Sequence, residues 1–213
     1  MKKAVIIFLI FKLGTYNCSA QSSDIKRKII VIDPGHGGRD SGTITTNGIQ
    51  EKEVVLDIAR SMVFWNRNIL NNAFDIYLTR SKDTLISLSD RTRLAKHLKP
   101  DIFISLHCNH SARKSIKGVE IYMYDSKLKY SEISPESENS AQTILRKLEK
   151  NLGLKTNGIR IANFQVLRET IKLCPSLLLE LGYLSNNDEA LYLGKEENRN
   201  AIGLAVLMAL KEE

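Results

Sequence analysis

Cysteine is scarce in this chain. Three occur in 213 residues, and one of them, Cys18, lies in an N-terminal stretch that reads as a processed leader. The remaining pair, Cys108 and Cys174, is too few for a disulfide framework in a domain of this size. Both are expected as small buried side chains, with a single bridge between them as the alternative. Long apolar runs are also missing. The N-terminal run Ala4 to Phe11 is too short for a bilayer, which takes about 20 residues to cross. There is no internal repeat and no low-complexity tract, and nothing divides the chain into two domains. Charge of one sign is modest: the formal net charge is +7, and Lys2, Lys3 and Lys12 supply three of those positives. Without residues 1–20, which carry no acid, 28 basic residues face 24 acidic ones, a net of +4. So small an excess suits a solvated surface or an anionic polymer. With no helix-turn-helix and no RNA-binding signature, it argues against a nucleic-acid binder. The Walker ending Gly-Lys-Ser/Thr is absent, and so is the HExxH helix of many zinc peptidases.

The N-terminus has the three-part layout of a secretory signal. Lys2-Lys3 is followed by an apolar run, then by a polar stretch closing on Cys18-Ser19-Ala20-Gln21. Cleavage after Ala20 is expected. Acylation of Cys18 is the alternative, but Thr15-Tyr16-Asn17 matches poorly the small apolar residues that precede a lipidated cysteine. The expected organisation is a signal peptide at 1–20, a short linker at 21–27 and one folded domain at 28–213, exported to the periplasm or the cell exterior. No transmembrane segment is expected in the mature chain.

From Ile29 the elements alternate. Helical spacing marks Glu51 to about Asn71 (Val54, Val55, Ile58, Met62, Trp65), Leu88 to Leu98, Glu136 to Leu152, Asn186 to Leu193 and Glu197 to Leu210. Strands are expected at Ile29–Ile32, Phe74–Thr79, Asp101–His107, Gly118–Tyr124 and Ser176–Leu181, with a short one at Phe164–Leu167. Asp125 to Ser140 reads as a surface loop. This alternation argues for an α/β fold, a single-domain sandwich with a mixed, largely parallel central sheet flanked by helices on both faces.

The most informative stretch is KIIVIDPGHGGRDSGTITTNGIQE, Lys28 to Glu51. An apolar strand is cut off by Asp33-Pro34-Gly35, and His36 is set among glycines that permit unusual backbone angles. Ligands of open α/β sheets gather at the carboxyl ends of the strands. His36 follows the first strand, His107 ends the Asp101 strand, Glu180 lies near the end of the Ser176 strand, and Glu51 opens the helix after the first loop. Two imidazoles and a carboxylate form the ligand set of a catalytic zinc, and a further carboxylate can serve as general base. Glu53 competes with Glu51, which could also be a favourable anion at a helix start. His110 competes with His107. His97, among lysines and leucines, reads as a surface residue. Glu180 inside Ser-Leu-Leu-Leu-Glu-Leu-Gly is costly to bury without a partner or a task.

Taken together, these positions resemble the zinc-dependent N-acetylmuramoyl-L-alanine amidases of the type-3 amidase family. The resemblance is carried by IDPGHGGRDSG (Ile32–Gly42), NGIQEKEVVLDIA (Asn47–Ala59), LTRSKD (Leu78–Asp83), LSDR (Leu88–Arg91), DIFISLHCNH (Asp101–His110), KGVEIY (Lys117–Tyr122), FQVLR (Phe164–Arg168) and PSLLLELGYLSN (Pro175–Asn186). It implies one Zn2+ held by His36, Glu51 and His107, with Glu180 as the catalytic carboxylate. Arg168, His110 and Asn109 become candidate substrate contacts. The implied reaction is hydrolysis of the amide between the lactyl group of N-acetylmuramic acid and L-alanine in peptidoglycan or muropeptides. The alternatives are a wall-binding protein without turnover and a zinc peptidase acting within the stem peptide. Lys96, Thr43 and His110 depart from the family's usual Asn, Ala and small residue. No insert long enough for an additional helix over the zinc follows Tyr124, so an open site is expected. No wall-binding module is recognisable, which leaves wall attachment to the catalytic domain or to a partner. A protein activator stays open.

Overall fold

A computed structural model of the chain describes residues 26–124 and 135–212. The expected signal peptide at 1–20 lies outside them, as do residues 21–25 of the linker and 125–134 of the expected surface loop. Twelve elements follow in order: β1 (Lys28–Pro34), α1 (Glu51–Asn68), β2 (Phe74–Leu78), α2 (Leu88–Leu98), β3 (Ile102–Asn109), β4 (Val119–Met123), α3 (Pro135–Leu152), β5 (Thr156–Ile161), α4 (Gln165–Thr170), β6 (Ser176–Tyr183), α5 (Asn187–Gly194) and α6 (Glu196–Lys211).

Six strands form one sheet in the order β2-β1-β3-β6-β4-β5. Every neighbouring pair is parallel except β4 with β6. The central strands are buried on both faces, as their continuous apolar runs require. Ile30, Ile32, Ile104, Leu106, Leu177 and Leu179 face α1, α3 and α6. Val31, Phe103 and Leu178 face the thinner layer made by α2 and α4. Each fully buried aliphatic side chain contributes roughly 1.5–3 kcal/mol. α1 spends its apolar stripe, Val54, Val55, Ile58 and Met62, on this core, and the Trp65 indole N–H donates to the Asn200 carbonyl at 2.9 Å, tying α1 to α6.

Several expectations change. Phe164–Leu167 is not a strand: Phe164 caps α4, and Val166 and Leu167 bury against β1 and β6 from a helix. Residues 156–161, not expected as a strand, form the edge strand β5. Its sequence TNGIRI lacks alternation, and its pairing with β4 supplies the order that local pattern does not. Residues 136–140, claimed both by the expected helix from Glu136 and by the expected loop to Ser140, belong to the helix α3, with Ser137 and Ser140 buried. α3 lies on the α1/α6 side of the sheet, away from the face that carries His107 and Glu180. β3 and β6 also run further than expected, to Asn109 and Tyr183, because they pair with each other beyond a bulge at His107–Asn109. His107 and Glu180 therefore stand on the sheet face near its carboxyl edge, not at strand termini.

Candidate metal centre

The site begins with Asp33, buried at the end of β1. Its carboxylate accepts from Thr79 Oγ1 (2.6 Å), Arg91 Nη1 (2.8 Å) and Ser105 Oγ (2.9 Å). Three donors, one of them a guanidinium, satisfy a charge that would otherwise be expensive to bury. The chain then turns, and His36 adopts φ 57°, the left-handed region. Such a conformation costs a non-glycine residue on the order of 1–3 kcal/mol and persists only where surroundings impose it. His36 Nδ1 lies 2.9 Å from Asp40 Oδ2. An ionised carboxylate only accepts, so this contact places a ring proton on Nδ1 and turns Nε2 inward, towards Glu51, as the ligand atom. Gly35 is required by proximity: a Cβ there would overlap the His107 ring.

Glu51 is set by the way α1 starts. Gln50 gives no side-chain cap. Instead the loop lends its carbonyls to the orphan amides of the first turn: Glu51 N–H donates to Thr43 O (2.9 Å) and Lys52 N–H to Ser41 O (3.1 Å). The Glu51 carboxylate returns inward. Oε2 accepts from the Thr43 amide (2.9 Å) and Oε1 from the Cys108 amide (3.0 Å). Gly42 leaves room for it, since a Cβ there would strike both Glu51 and His36. Oε1 also lies 3.0 Å from His36 Nε2 and 3.0 Å from His107 Nδ1. Burial alone would raise the pKa of Glu51, but the hydrogen bonds and charges of His107 and His36 hold it far below the usual range. Burial lowers the pKa of His36, and Glu51 and Asp40 together outweigh that and raise it.

The two imidazoles pack edge to face with centroids 5.0 Å apart. His36, Glu51 and His107 each offer a ligand atom within 4.8 Å of the others. The donor set, two neutral-capable nitrogens and one carboxylate oxygen with Asp40 behind one ring, fits a divalent metal of zinc type.

Glu180 sits beside this triad. It is opposite His107 in the β3–β6 register and opposite Glu120 in the β6–β4 register, so the three side chains line up on one sheet face. Its Oε2 is out of solvent and has no hydrogen-bond partner. Burial pushes its pKa up, the His107 charge opposes this, and Glu51 and Glu120 add to it, for a value of about 7. Glu180, His36 and His107 form the floor of a cleft of about 400 Å³. Leu85, Ile86 and Leu88 wall it on the α2 side, Phe164 and Val166 on the α4 side.

The family profile described as N-acetylmuramoyl-L-alanine amidase matches residues 30–212. The chain belongs to this amidase family. A probable cell wall amidase, LytH, of Staphylococcus epidermidis is 34% identical over 197 residues, 91% of this chain and 61% of that protein. The endolysin of Bacillus phage SPP1 is 34% identical over 194 residues, 87% of this chain and 68% of the endolysin. Among solved structures, the catalytic domain of CwlV, an N-acetylmuramoyl-L-alanine amidase from Bacillus (Paenibacillus) polymyxa var. colistinus, superposes with a TM-score of 0.75 at 33% identity, covering 87% of this chain and 97% of that domain. The chain spans 61% of the length of LytH, so the likeness there concerns part of that protein. The amidase family is metal-dependent, and the triad is where this member could hold an ion.

Within this amidase-family chain the residues singled out by sequence fall into two groups. His36, Glu51, His107 and Glu180 converge. Glu53 is exposed on the outer side of α1, His110 is exposed and His97 bonds the Arg93 carbonyl. Arg168 is exposed on α4 and is engaged by Asn163, outside the cleft lining. Asn109 donates to Glu120 Oε2 at 3.3 Å. Cys108 and Cys174 are both free and buried. Of the departures, Thr43 serves Glu51 through its backbone alone, so the hydroxyl and methyl that threonine adds to alanine leave that contact intact. Lys96 bonds Glu169 on α4 at 2.9 Å. Sequence reading missed Asp40, Arg80, Arg91 and Glu120. Asp40 could have been found from its four-residue spacing after His36. The arginines lay in matched motifs to which no role was given.

Proposed function

We propose that this chain is a zinc-dependent N-acetylmuramoyl-L-alanine amidase, with His36, Glu51 and His107 as the zinc ligands and Glu180 as the catalytic carboxylate. The observation that carries the proposal is the buried Glu180 carboxylate, one oxygen of it without a partner, lining the same cleft as His36 and His107, two of the three residues whose ligand atoms converge. When bound, the ion supplies Lewis-acid polarisation of the scissile carbonyl and makes water more acidic.

The chain's own groups do the rest. Asp40 holds the His36 ring in the tautomer that presents Nε2. Glu180 takes a proton from the attacking water as the water oxygen bonds the lactyl carbonyl carbon. The carbon–nitrogen bond then breaks, and Glu180 returns that proton to the departing amine of L-alanine. The products are a lactyl carboxylate on the glycan and a stem peptide with a free amine. Leu85, Leu88 and Phe164, exposed along the cleft, offer apolar surface to the substrate.

The expected site of action is the cell wall, outside the cytoplasmic membrane, in keeping with the similarity to a cell wall amidase. No helix among the described residues is long and apolar enough to cross a membrane. The test is digestion of peptidoglycan by the full chain without its leader, with chelator and with zinc restored. Mass spectrometry should find stem peptides with a free L-alanine amine, lost on chelation and regained with zinc. Cuts within the stem would assign a peptidase. Zinc binding with no product would leave a wall-binding protein.

A further inference from the structure

Two arginines behind the site have no part in the chemistry just described, yet both are buried. Arg91, on α2, donates from Nη1 to Asp33 Oδ1 and to the Pro34 carbonyl (2.6 Å), and from Nη2 to the His36 carbonyl (2.6 Å). Arg80, just after β2, donates from Nε to the same Pro34 carbonyl (2.9 Å) and from Nη2 to the Gly35 carbonyl (2.6 Å). Arg80 Nη2 also reaches the Lys52 carbonyl at 2.8 Å, in the first turn of α1 and next to Glu51. Three consecutive carbonyls, 34 to 36, therefore converge on two guanidiniums. One of these guanidiniums also grips the helix that presents the carboxylate ligand.

We infer that Arg80 and Arg91 are positioning residues that hold His36 in its left-handed conformation and set its distance from Glu51 before any metal arrives. Arg91 imposes the turn, and Arg80 couples that turn to α1. The planar guanidinium spreads its donors over separate nitrogens in fixed directions that match these carbonyls, so lysine, with one ammonium nitrogen, would keep the charge and lose the clamp. The inference rests on the metal reading above for its consequence, but the clamp itself is a property of the metal-free chain.

The test has two arms on the leaderless full chain. In the first, amide hydrogen exchange is followed at Gly37 and Gly38 without metal, where the amides donate to Asp40 O and Asp83 Oδ1. Protection without zinc is expected in the parent and its loss in Arg91→Lys and Arg80→Lys. In the second, zinc affinity is measured by competition with a chromophoric chelator. Each variant should bind about 10–100-fold more weakly, the loss usual for partners that orient a ligand. Lys96→Ala, which removes an α2–α4 contact away from the turn, serves as the control for general destabilisation and should bind zinc like the parent. Parent-like zinc affinity in folded Arg91→Lys and Arg80→Lys overturns the proposal. So does a parent turn that becomes protected only when zinc is added. If the lysine variants do not fold, exchange in the metal-free parent decides. If the parent takes up no zinc, the metal reading fails, and the exchange arm alone upholds or overturns the clamp.

Discussion

A carboxylate oxygen with neither water nor a donor beside it is poorly stabilised as an ion, and Glu180 Oε2 is in that position. Glu180→Gln keeps the shape and removes the proton acceptor. Turnover should fall about 10²–10⁴-fold, the usual contribution of a general base, while zinc content measured by metal analysis stays unchanged. The pH dependence follows from the raised pKa. In the metal-free chain Glu180 should titrate near 7, observable by carboxyl carbon NMR and absent from the Gln variant. The base works only when deprotonated, so activity should rise with pH through that titration. A bound dication favours the carboxylate form, so the acidic limb of kcat/KM should lie below the metal-free midpoint. Thr43→Ala is predicted to change neither zinc affinity nor activity, because Thr43 holds Glu51 through its amide and carbonyl. At this scale the ligand types were legible, since few residues suit a metal. The backbone role of Thr43 was not, because side-chain identity carries no record of it.

Among the elements, α2 and α4 are held together at one point by charge. Lys96, Thr92 and Gln165 donate to Glu169, which holds its carboxyl down at about 2. A depressed carboxylate stabilises the fold above its ordinary value of 4.5, and that contribution is lost as pH falls from there towards 2. Glu169→Gln should therefore flatten the fall in thermal midpoint over this window, measured by circular dichroism in low salt. Phe164 caps α4, lines the cleft and packs edge to face on Tyr122 at 5.4 Å. Phe164→Ala should raise KM more than it lowers kcat, read from initial rates on a soluble muropeptide. The long helices were legible from their periodicity. Phe164–Leu167 was not, because three apolar residues in a stretch of four fit a strand or a helical turn equally well, and burial of Val166 and Leu167 in the second core chose the helix.

For the whole molecule, a ligand held between β1, α1 and β3 ties together segments distant in sequence. Removing the ion should lower the thermal midpoint, since binding only to the folded state adds about 2.7 kcal/mol at a hundredfold excess over Kd. Scanning calorimetry with and without chelator checks this, and a triple variant lacking His36, Glu51 and His107 should show no difference. The layer order matters as much as the ligands. α1, α3 and α6 fill one face of the sheet, and the shorter α2 and α4 leave the carboxyl end of the other open for the cleft.

The alternation of elements and the largely parallel core strands were legible in the sequence because period and turn chemistry are local properties, and the four residues that converge on the candidate site were picked out by residue type together with the family resemblance. Tertiary structure alone decided that β5 is a strand, that β4 runs against β6, and that Glu120 faces Glu180. It also decided that Arg80 and Arg91 close on the His36 turn from 44 and 55 residues away. The physical reason is the same in each case. Strand pairing and the satisfaction of buried carbonyls and charges depend on which partners the packed chain brings within bonding distance, and no local pattern records that.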